Sequence, residues 1–600
     1  MAEPITHSGE PLELKATTFL EILAGEKRGQ PGFERFYGAY KDEHHPWLSF
    51  DDGVLISNVQ VTEAVLVPEG FRAPLPVVIS SGMFSGDFGL SGGTFLGNFW
   101  IAGGTFEGDF RFSDGVFSGS FLIAAGAFLR SFQIRGGTFS GGFGISGGTF
   151  SGTFRLLDGV FSGDFGISGG TFLSGFRISG GRYLGTLEIS GGTFSGGFKL
   201  SGGTFSGSFW VRGGRYLGTL EISGGKFSGV FEISSGTFSG GFLIADGTFS
   251  SGFWIRGGMF SGNLWIRGGA FPDSFKISSG TFSGTFWIAG GTFKKMLMES
   301  SRLLRFDTLE VSIEPAALPL LQVVKGEESF VLNTLRFRNV TLEETDVVQV
   351  NGVPINQLEF QNVLNYGNIS LTGVSAAEAV PIGEVAVPPS ALPQLRIQTS
   401  DLGKTTWIGC DFAAAELTIE SAKLTEMFVT GTQFPKDLSP TMTAEQQRLG
   451  YGQLRKVYEN RGDTTKANEY FAQQMNAYMK TLSWRNDFWE KLNLTFNELS
   501  TNHGQNWQQG LASTLLTAYC FFLVYLFAVF VGARSTFDFK GNPFSYFFEF
   551  ISPVHNYDFM VPIKAVNDTA RVIDSVSRIF IAYFIYQLVQ AFRKHGKKGD

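Results

Sequence analysis

Apolar residues recur along this chain with a period that no helix can use. From Phe84 to Phe293 an aromatic falls at every eleventh position, twenty times in succession, and it is Phe everywhere except Tyr183 and Tyr216. Four residues later stands a second apolar residue, Phe from Phe88 to Phe286 except at Leu187, Leu220 and Leu264. Two further on comes Ile, Leu, Val or Phe, as in Leu90, Ile101, Phe112 and Ile288. The unit reads F-x-G-x-F-x-I, followed by a turn commonly spelled S-G-G-T. Its key residues stand at i, i+2, i+4 and i+6, so they share one side of an extended strand. On a helix the same residues would scatter around the cylinder. The Gly between the aromatics leaves a gap that a neighbouring ring can fill, and Gly-Gly supplies the positive φ of a tight corner.

One eleven-residue unit is too short to enclose its own rings. Two units per coil predict a parallel β-solenoid with about 22 residues per turn, two short sheets facing each other and four rings between them. Twenty units then give about ten coils, ~48 Å long at the spacing of hydrogen-bonded strands. Each buried ring removes roughly 150–250 Å² from water, worth about 4–6 kcal/mol before chain entropy is charged. An antiparallel meander resembling MORN repeats shares the phrase and is the competing geometry. Fainter beats favour the solenoid: Ile56, Val67 and Val78 upstream, Ile397, Ile408 and Ile419 downstream, and Phe337 with Phe360. The expected layout is an N-terminal cap over 1–49, a regular solenoid over 50–295 and an irregular β-helix over 296–436. The cap includes TTFLEILAGEKRG, a helix-like stretch suited to covering the first open edge.

The residue between the second aromatic and the Ile points outward, and there the sequence varies. With 22 residues per coil these positions form two stripes. One carries Arg111, Arg155, Arg177, Lys199, Trp265 and Trp287, and the other Trp100, Trp210 and Trp254. Exposed Trp and Arg are enriched where partners dock, so these nine residues are the candidate partner-binding face. The plainer reading is that the Trp rings shield sheet surface. Eleven of the twenty positions before the first aromatic are Thr, including Thr94, Thr138 and Thr281. Such ladders suit β surfaces through cross-strand pairing. Asp87, Asp109 and Asp164 lack the G-G-x-G-x-D frame of a calcium roll.

Composition agrees with an array. Of 600 residues 80 are Gly and 64 Phe, and 15% are aromatic, which is neither collagen-like nor disordered. A net charge of −7 gives no reason to expect nucleic acid. The two cysteines, Cys410 and Cys520, spell no disulfide framework. His44 and His45 have no companions at metal-ligand spacing. No clustered carboxylates and bases mark a catalytic site, so the expectation is a non-enzymatic protein without cofactor or metal.

From about 440 the pattern turns helical. Residues 440–508 predict a helical hairpin broken at NRGD, then a juxtamembrane helix; Leu449, Leu454, Val457 and Tyr458 would face Ala467, Tyr470, Phe471 and Met475. GLASTLLTAYCFFLVYLFAVFVG, 510–532, carries no charge and is long enough to cross ~30 Å of hydrocarbon. A second span is expected at 572–592, with a surface-lying or re-entrant helix as its alternative. An aromatic-rich loop covers 533–571 and a basic tail 593–600. Residues 1–20 lack the basic-then-apolar order of a secretory signal. With the basic tail, this predicts a two-pass inner-membrane protein with both termini cytoplasmic.

The phrases SDLGKTTWIGCDF (400–412), YGQLRKVYENRGDTTKANEYFAQQM (451–475) and RIFIAYFIYQLVQAFRK (578–594) carry a resemblance. The C-terminal layout is similar to that of bacterial membrane proteins, especially from Bacteroidetes. These join pentapeptide-repeat-like or other β-helical sensors to a helical hairpin and two membrane helices. The resemblance implies architecture and no site residues. The long repeat departs from the five-residue A-(D/N)-L-x-x pattern, and the pore signature of relatives with a potassium-channel-like end is absent. Three functional classes follow: a membrane-anchored scaffold binding a protein partner, an oligomeric membrane effector or pore with a solenoid sensor, and a polymerising element like bactofilins.

Overall fold

The computed structural model describes residues 10–41, 49–312, 319–326, 329–382, 392–533, 543–556, 559 and 568–596. Contacts divide the chain into two units. The first runs to Arg396 and takes in 404–415 and 430–434; the second comprises 397–403, 416–429 and 435 onward.

The first unit is a parallel β-solenoid, part of a coil series of about 16 turns at ~22 residues each. Strands pair with the equivalent strand one coil away in the same direction, as in Phe132–Arg135 with Phe154–Leu157. This excludes the antiparallel meander. The antiparallel pair among the described residues is Tyr37–Lys41 with Ser49–Ile56, outside the repeat. Through most of the regular run each coil breaks into four short strands, two of two residues and two of three or four, such as Thr149–Phe150 and Phe154–Leu157. Four ladders therefore replace the two facing sheets expected. The break falls at the Ser-Gly between the aromatics. A Cβ on Gly207 would lie 2.2 Å from the Gly185 carbonyl oxygen one coil away. Backbone fills the space at this glycine, where a ring was expected. The second glycine of the Gly-Gly corner takes positive φ as anticipated, +93° at Gly148.

Inside, the first aromatics stack along the axis. Phe84, Phe106, Phe128, Phe150, Phe172, Phe194, Tyr216, Phe238, Phe260, Phe282 and Phe306 form one continuous column with centroids 4.6–4.9 Å apart. Within a coil the two aromatics meet edge to face, as Phe150 and Phe154 do at 5.1 Å and 87°. Both arrangements suit the ring quadrupole, which disfavours an eclipsed sandwich in isolation but tolerates stacking when edges close the column laterally. Strand spacing sets the stacking distance.

Helix α1, Ala16–Ala24, buries Phe19, Ile22 and Leu23 completely. The Phe19 ring lies 5.5 Å from Phe84 and 5.9 Å from Phe88, so the cap closes the end of the aromatic column. Leu12–Glu13 pairs parallel with Val59–Gln60 and satisfies part of the open edge. Later coils lengthen, to 23 residues between Thr334 and Gln357 and 27 between Gln322 and Gln349. Phe337 and Phe360 still stack at 5.2 Å. Two of the fainter beats are corrected: Val78 and Ile408 occupy outward positions, while Val77, Ile79 and Trp407 point inward.

In the second unit α2 (Ala444–Glu459) and α3 (Thr464–Thr481) form the hairpin. Thr443 and Gln446 make a reciprocal capping box, and Asp463 caps α3 by accepting from Lys466 N. Leu454, Val457, Tyr458, Ala467 and Tyr470 are buried as expected. Leu449 is exposed, a correction to the predicted hairpin face. After α4 (Phe488–Thr501) come two helices long and apolar enough to cross a membrane, α5 (Trp507–Ala533) and α7 (Asp568–Gly596). Trp507 meets Phe592 at 5.1 Å and Phe521 meets Phe580 at 5.4 Å, so the two run antiparallel. Between them FSYFFEFI folds as part of α6, Pro543–Ile551, where a loop was expected.

Candidate docking face

The outward stripes have the register that 22 residues per coil demands. Arg155 pairs with Arg177, Arg177 with Lys199, and Trp265 with Trp287. On the other stripe Glu188 pairs with Trp210, and Glu232 with Trp254.

Trp100 is the exception among the five tryptophans. It is only 5% exposed, and Phe50 lies 5.9 Å from its ring. Tyr40, Phe50 and Leu55 from the antiparallel strands pack over Val78, Trp100 and Ala124. The hairpin buries this end of the stripe, so Trp100 is removed from the docking face. Trp210, Trp254, Trp265 and Trp287 are half-buried.

Each of the first three carries an arginine two residues later on the same strand face. Arg212 lies 3.9 Å from the Trp210 centroid, Arg256 4.4 Å from Trp254 and Arg267 5.5 Å from Trp265. The phrases FWVR, FWIR and LWIR contained that signal, because i and i+2 share a strand face. Two of these arginines also reach a carboxylate: Arg212 to Glu188 at 3.3 Å and Arg256 to Glu232 at 3.4 Å. Trp210 and Trp254 are thus clasped by their own surface. Cation–π contacts of this exposed kind contribute about 0.5–1 kcal/mol each.

Trp265 and Trp287 differ. With Leu243 they make three apolar side chains in successive coils on one stripe. The Trp287 indole N–H is buried and has no hydrogen-bond partner among the described residues. Beyond Trp287 the stripe becomes a charge ladder, with Glu310 in register with Trp287 and Arg336 reaching both Glu310 and Glu359. Burial opposes the Arg336 charge, but hydrogen bonds to Glu359 and Glu310 outweigh it and raise the guanidinium pKa.

Toward the basic end Arg111 pairs with Asp87 and Asp109, and Lys199 with Glu221 at 2.7 Å. Arg155 and Arg177 are exposed and form no ion pair among the described residues. A trench of about 960 Å³ follows one corner of the solenoid, floored by Gly181, Gly203, Gly225, Gly247, Gly269 and Gly291. It brings few polar side chains together, only Lys226, Asp246 and threonines.

No group of three or more His, Cys, Asp or Glu among the described residues could hold a metal ion. Cys410 is buried, which pushes its thiol pKa up, and Cys520 is exposed. His44 and His45 lie outside the described residues.

The fold therefore defines a β-solenoid protein with two candidate membrane helices. No family model, characterised protein or solved structure matches the chain.

Proposed function

We propose that this protein is a membrane-anchored scaffold whose solenoid docks a protein partner along one face, without enzymatic activity of its own. The supporting observation is the row Leu243, Trp265 and Trp287, apolar in three successive coils and without the arginine–carboxylate clasp that covers Trp210 and Trp254. The anchor is α5 with α7, and both termini are cytoplasmic in the inner membrane, following the basic tail. The layout suits the bacterial β-helical membrane proteins that the C-terminal phrases resemble. Replacing Trp265 and Trp287 with Ser is expected to leave folding intact and to abolish partner cross-linking in native membranes. Unchanged recovery of every cross-linked partner would refute the docking face.

A second reading, an oligomeric membrane effector, draws on one observation. Asp574 of α7 is fully buried between His555 at 2.8 Å and Arg578 at 2.7 Å, and ionisable groups inside membrane helices mark functional sites. It requires ion flux on overexpression, lost when 510–592 is deleted. The filament reading is disfavoured, since α1 and Leu12–Glu13 occupy the edge that end-to-end stacking needs.

A further inference from the structure

At the outward position between the second aromatic and the Ile, the other cations of the regular run face a carboxylate about one coil away. Arg111 has Asp87, Lys199 has Glu221 and Lys276 has Glu299. Arg155 and Arg177 break that rule together. They stand in register, with Gln133 on one side and Lys199 on the other. Like charges directly opposite destabilise a sheet, and two unit charges one strand spacing apart, ~5 Å, repel by about 0.8 kcal/mol even in water.

The column alongside changes at the same place. Its acids in the early coils, Asp87 and Asp109, give way to Thr153, Gly175 and Gly197. A Cβ on Gly175 or Gly197 would meet only a backbone carbonyl oxygen, at 3.7 and 3.6 Å. The result is a groove of about 310 Å³ lined by Thr153, Arg155, Gly175, Arg177 and Gly197, and closed at its far end by Lys199 with its partner Glu221. The counter-charge is missing where there is room to receive one.

We propose that this row binds an extended acidic segment of a partner protein, whose Asp or Glu carboxylates supply the missing counter-charge. The inference rests on the docking reading above and names the chemistry of the partner. A planar guanidinium fork matches a carboxylate bidentately. The groove is open and runs two coil steps, ~10 Å, past Arg155 and Arg177 to the Lys199–Glu221 pair, which suits a strand more than a compact ligand. Same-side residues of an extended peptide recur every ~6.7 Å, within the reach of arginine side chains spaced by one coil. Nucleic acid is disfavoured by the net charge of −7.

The test uses the full chain in detergent micelles and a fluorescein-labelled octaglutamate peptide, with octaserine as control, read by fluorescence anisotropy. Octaglutamate is expected to bind, to weaken with added salt, and to lose at least about tenfold in affinity in the Arg155→Ser/Arg177→Ser variant. Arg215→Ser, an exposed arginine in another column, is expected to change nothing. Equal binding by the double variant with unchanged melting, or no binding up to about 1 mM, overturns the proposal. Tighter binding of polygalacturonate or polyphosphate through the same two arginines overturns the protein occupant. Trp265→Ser/Trp287→Ser, whose residues begin three coils beyond Lys199, is expected to bind octaglutamate normally. Failure of the aromatic row and failure of the basic row are therefore read separately; loss of the peptide in the tryptophan variant would place it on the wrong row and overturn the proposal.

Discussion

Tyr183 and Tyr216 stand where every other repeat has Phe, and their hydroxyls offer a sharp energetic test of the dry core. Each side chain is 1% exposed, and neither hydroxyl has a hydrogen-bond partner among the described residues. Burial drives both phenol pKa values far above the usual range. Burying an unpaired hydroxyl costs about 1–3 kcal/mol by mutational measures. Tyr→Phe removes that cost but leaves a hole of roughly 10–15 Å³, worth about 0.3 kcal/mol at ~24 cal/mol per Å³. Each substitution is therefore expected to stabilise by about 1–2 kcal/mol. The two rings belong to different columns, since Tyr183 stacks on Phe161 and Phe205 while Tyr216 stacks on Phe194 and Phe238. Their effects should add.

The repeat around each tyrosine supplies an internal control. Four residues after both, the usual Phe is Leu, at Leu187 and Leu220. We attribute the smaller side chain to the space the hydroxyl takes. Leu187→Phe alone should then destabilise by about 1–3 kcal/mol through overpacking. Paired with Tyr183→Phe, which restores the ordinary unit, it should be close to neutral. Hydrogen exchange of segments within 161–205 reads the local stability, which in a quasi-one-dimensional array is set by neighbouring coils. Loss of stability in Tyr183→Phe would refute the reasoning and show that the hydroxyl is hydrogen-bonded, as a trapped water would do.

Three further outcomes follow from the geometry. Gly207→Ala places a Cβ 2.2 Å from the Gly185 oxygen and should cost about 2–3 kcal/mol, whereas Gly166→Ala, which meets nothing within 4 Å, should lie within ~0.5 kcal/mol of wild type in the same thermal melt. His503 is buried, donates from Nε2 to Asn476 Oδ1 at 2.8 Å and has the Lys594 ammonium against its own carbonyl; burial first, then Lys594, lowers its pKa to about 4. The unfolded imidazole takes its proton near pH 6.5, so stability should be full above that, fall by up to about 3 kcal/mol as pH drops toward 4, and level off below. Hydrogen exchange at 498–510 should show that slope, and His503→Asn, which tolerates the local φ of 52°, should abolish it. Asp574→Ala removes the carboxylate that His555 and Arg578 share and should destabilise the α6–α7 region by about 3–5 kcal/mol, read as earlier thermal aggregation in detergent; Asp574→Asn should cost less.

The inward half of the solenoid was legible because one residue type repeats without interruption. A ring every eleven residues admits a single strand register, and the stripes of Arg155, Arg177 and Lys199 followed from counting. What escaped was set by contacts between coils. The Ser-Gly corner reads as a gap in one strand, and only the approach of the Gly185 carbonyl shows that backbone occupies it. Trp100 escaped for another reason. Its own repeat is regular, and the strands that bury it lie some fifty residues upstream, outside the beat. Leu449 failed because a 3.6 period names a helix face without saying where a partner helix ends.

The same distinction separates what the outer surface can do from what it does for itself. A tryptophan with an arginine two residues on and a glutamate one coil back is a closed local set, and Glu188–Arg212–Trp210 repeats in the same form as Glu232–Arg256–Trp254. Such sets stiffen the face and ask for nothing from outside. The informative positions are where the set is incomplete among the described residues: Trp287 with its buried unpaired N–H, and Arg155 beside Arg177 without an ion pair. The nearest carboxylates of these columns, Asp109 and Glu221, stand two coils from Arg155 and Arg177 respectively and are already paired with Arg111 and Lys199. Trp287 and the Arg155–Arg177 pair share one stripe, and that coincidence is what the two variant sets proposed above separate.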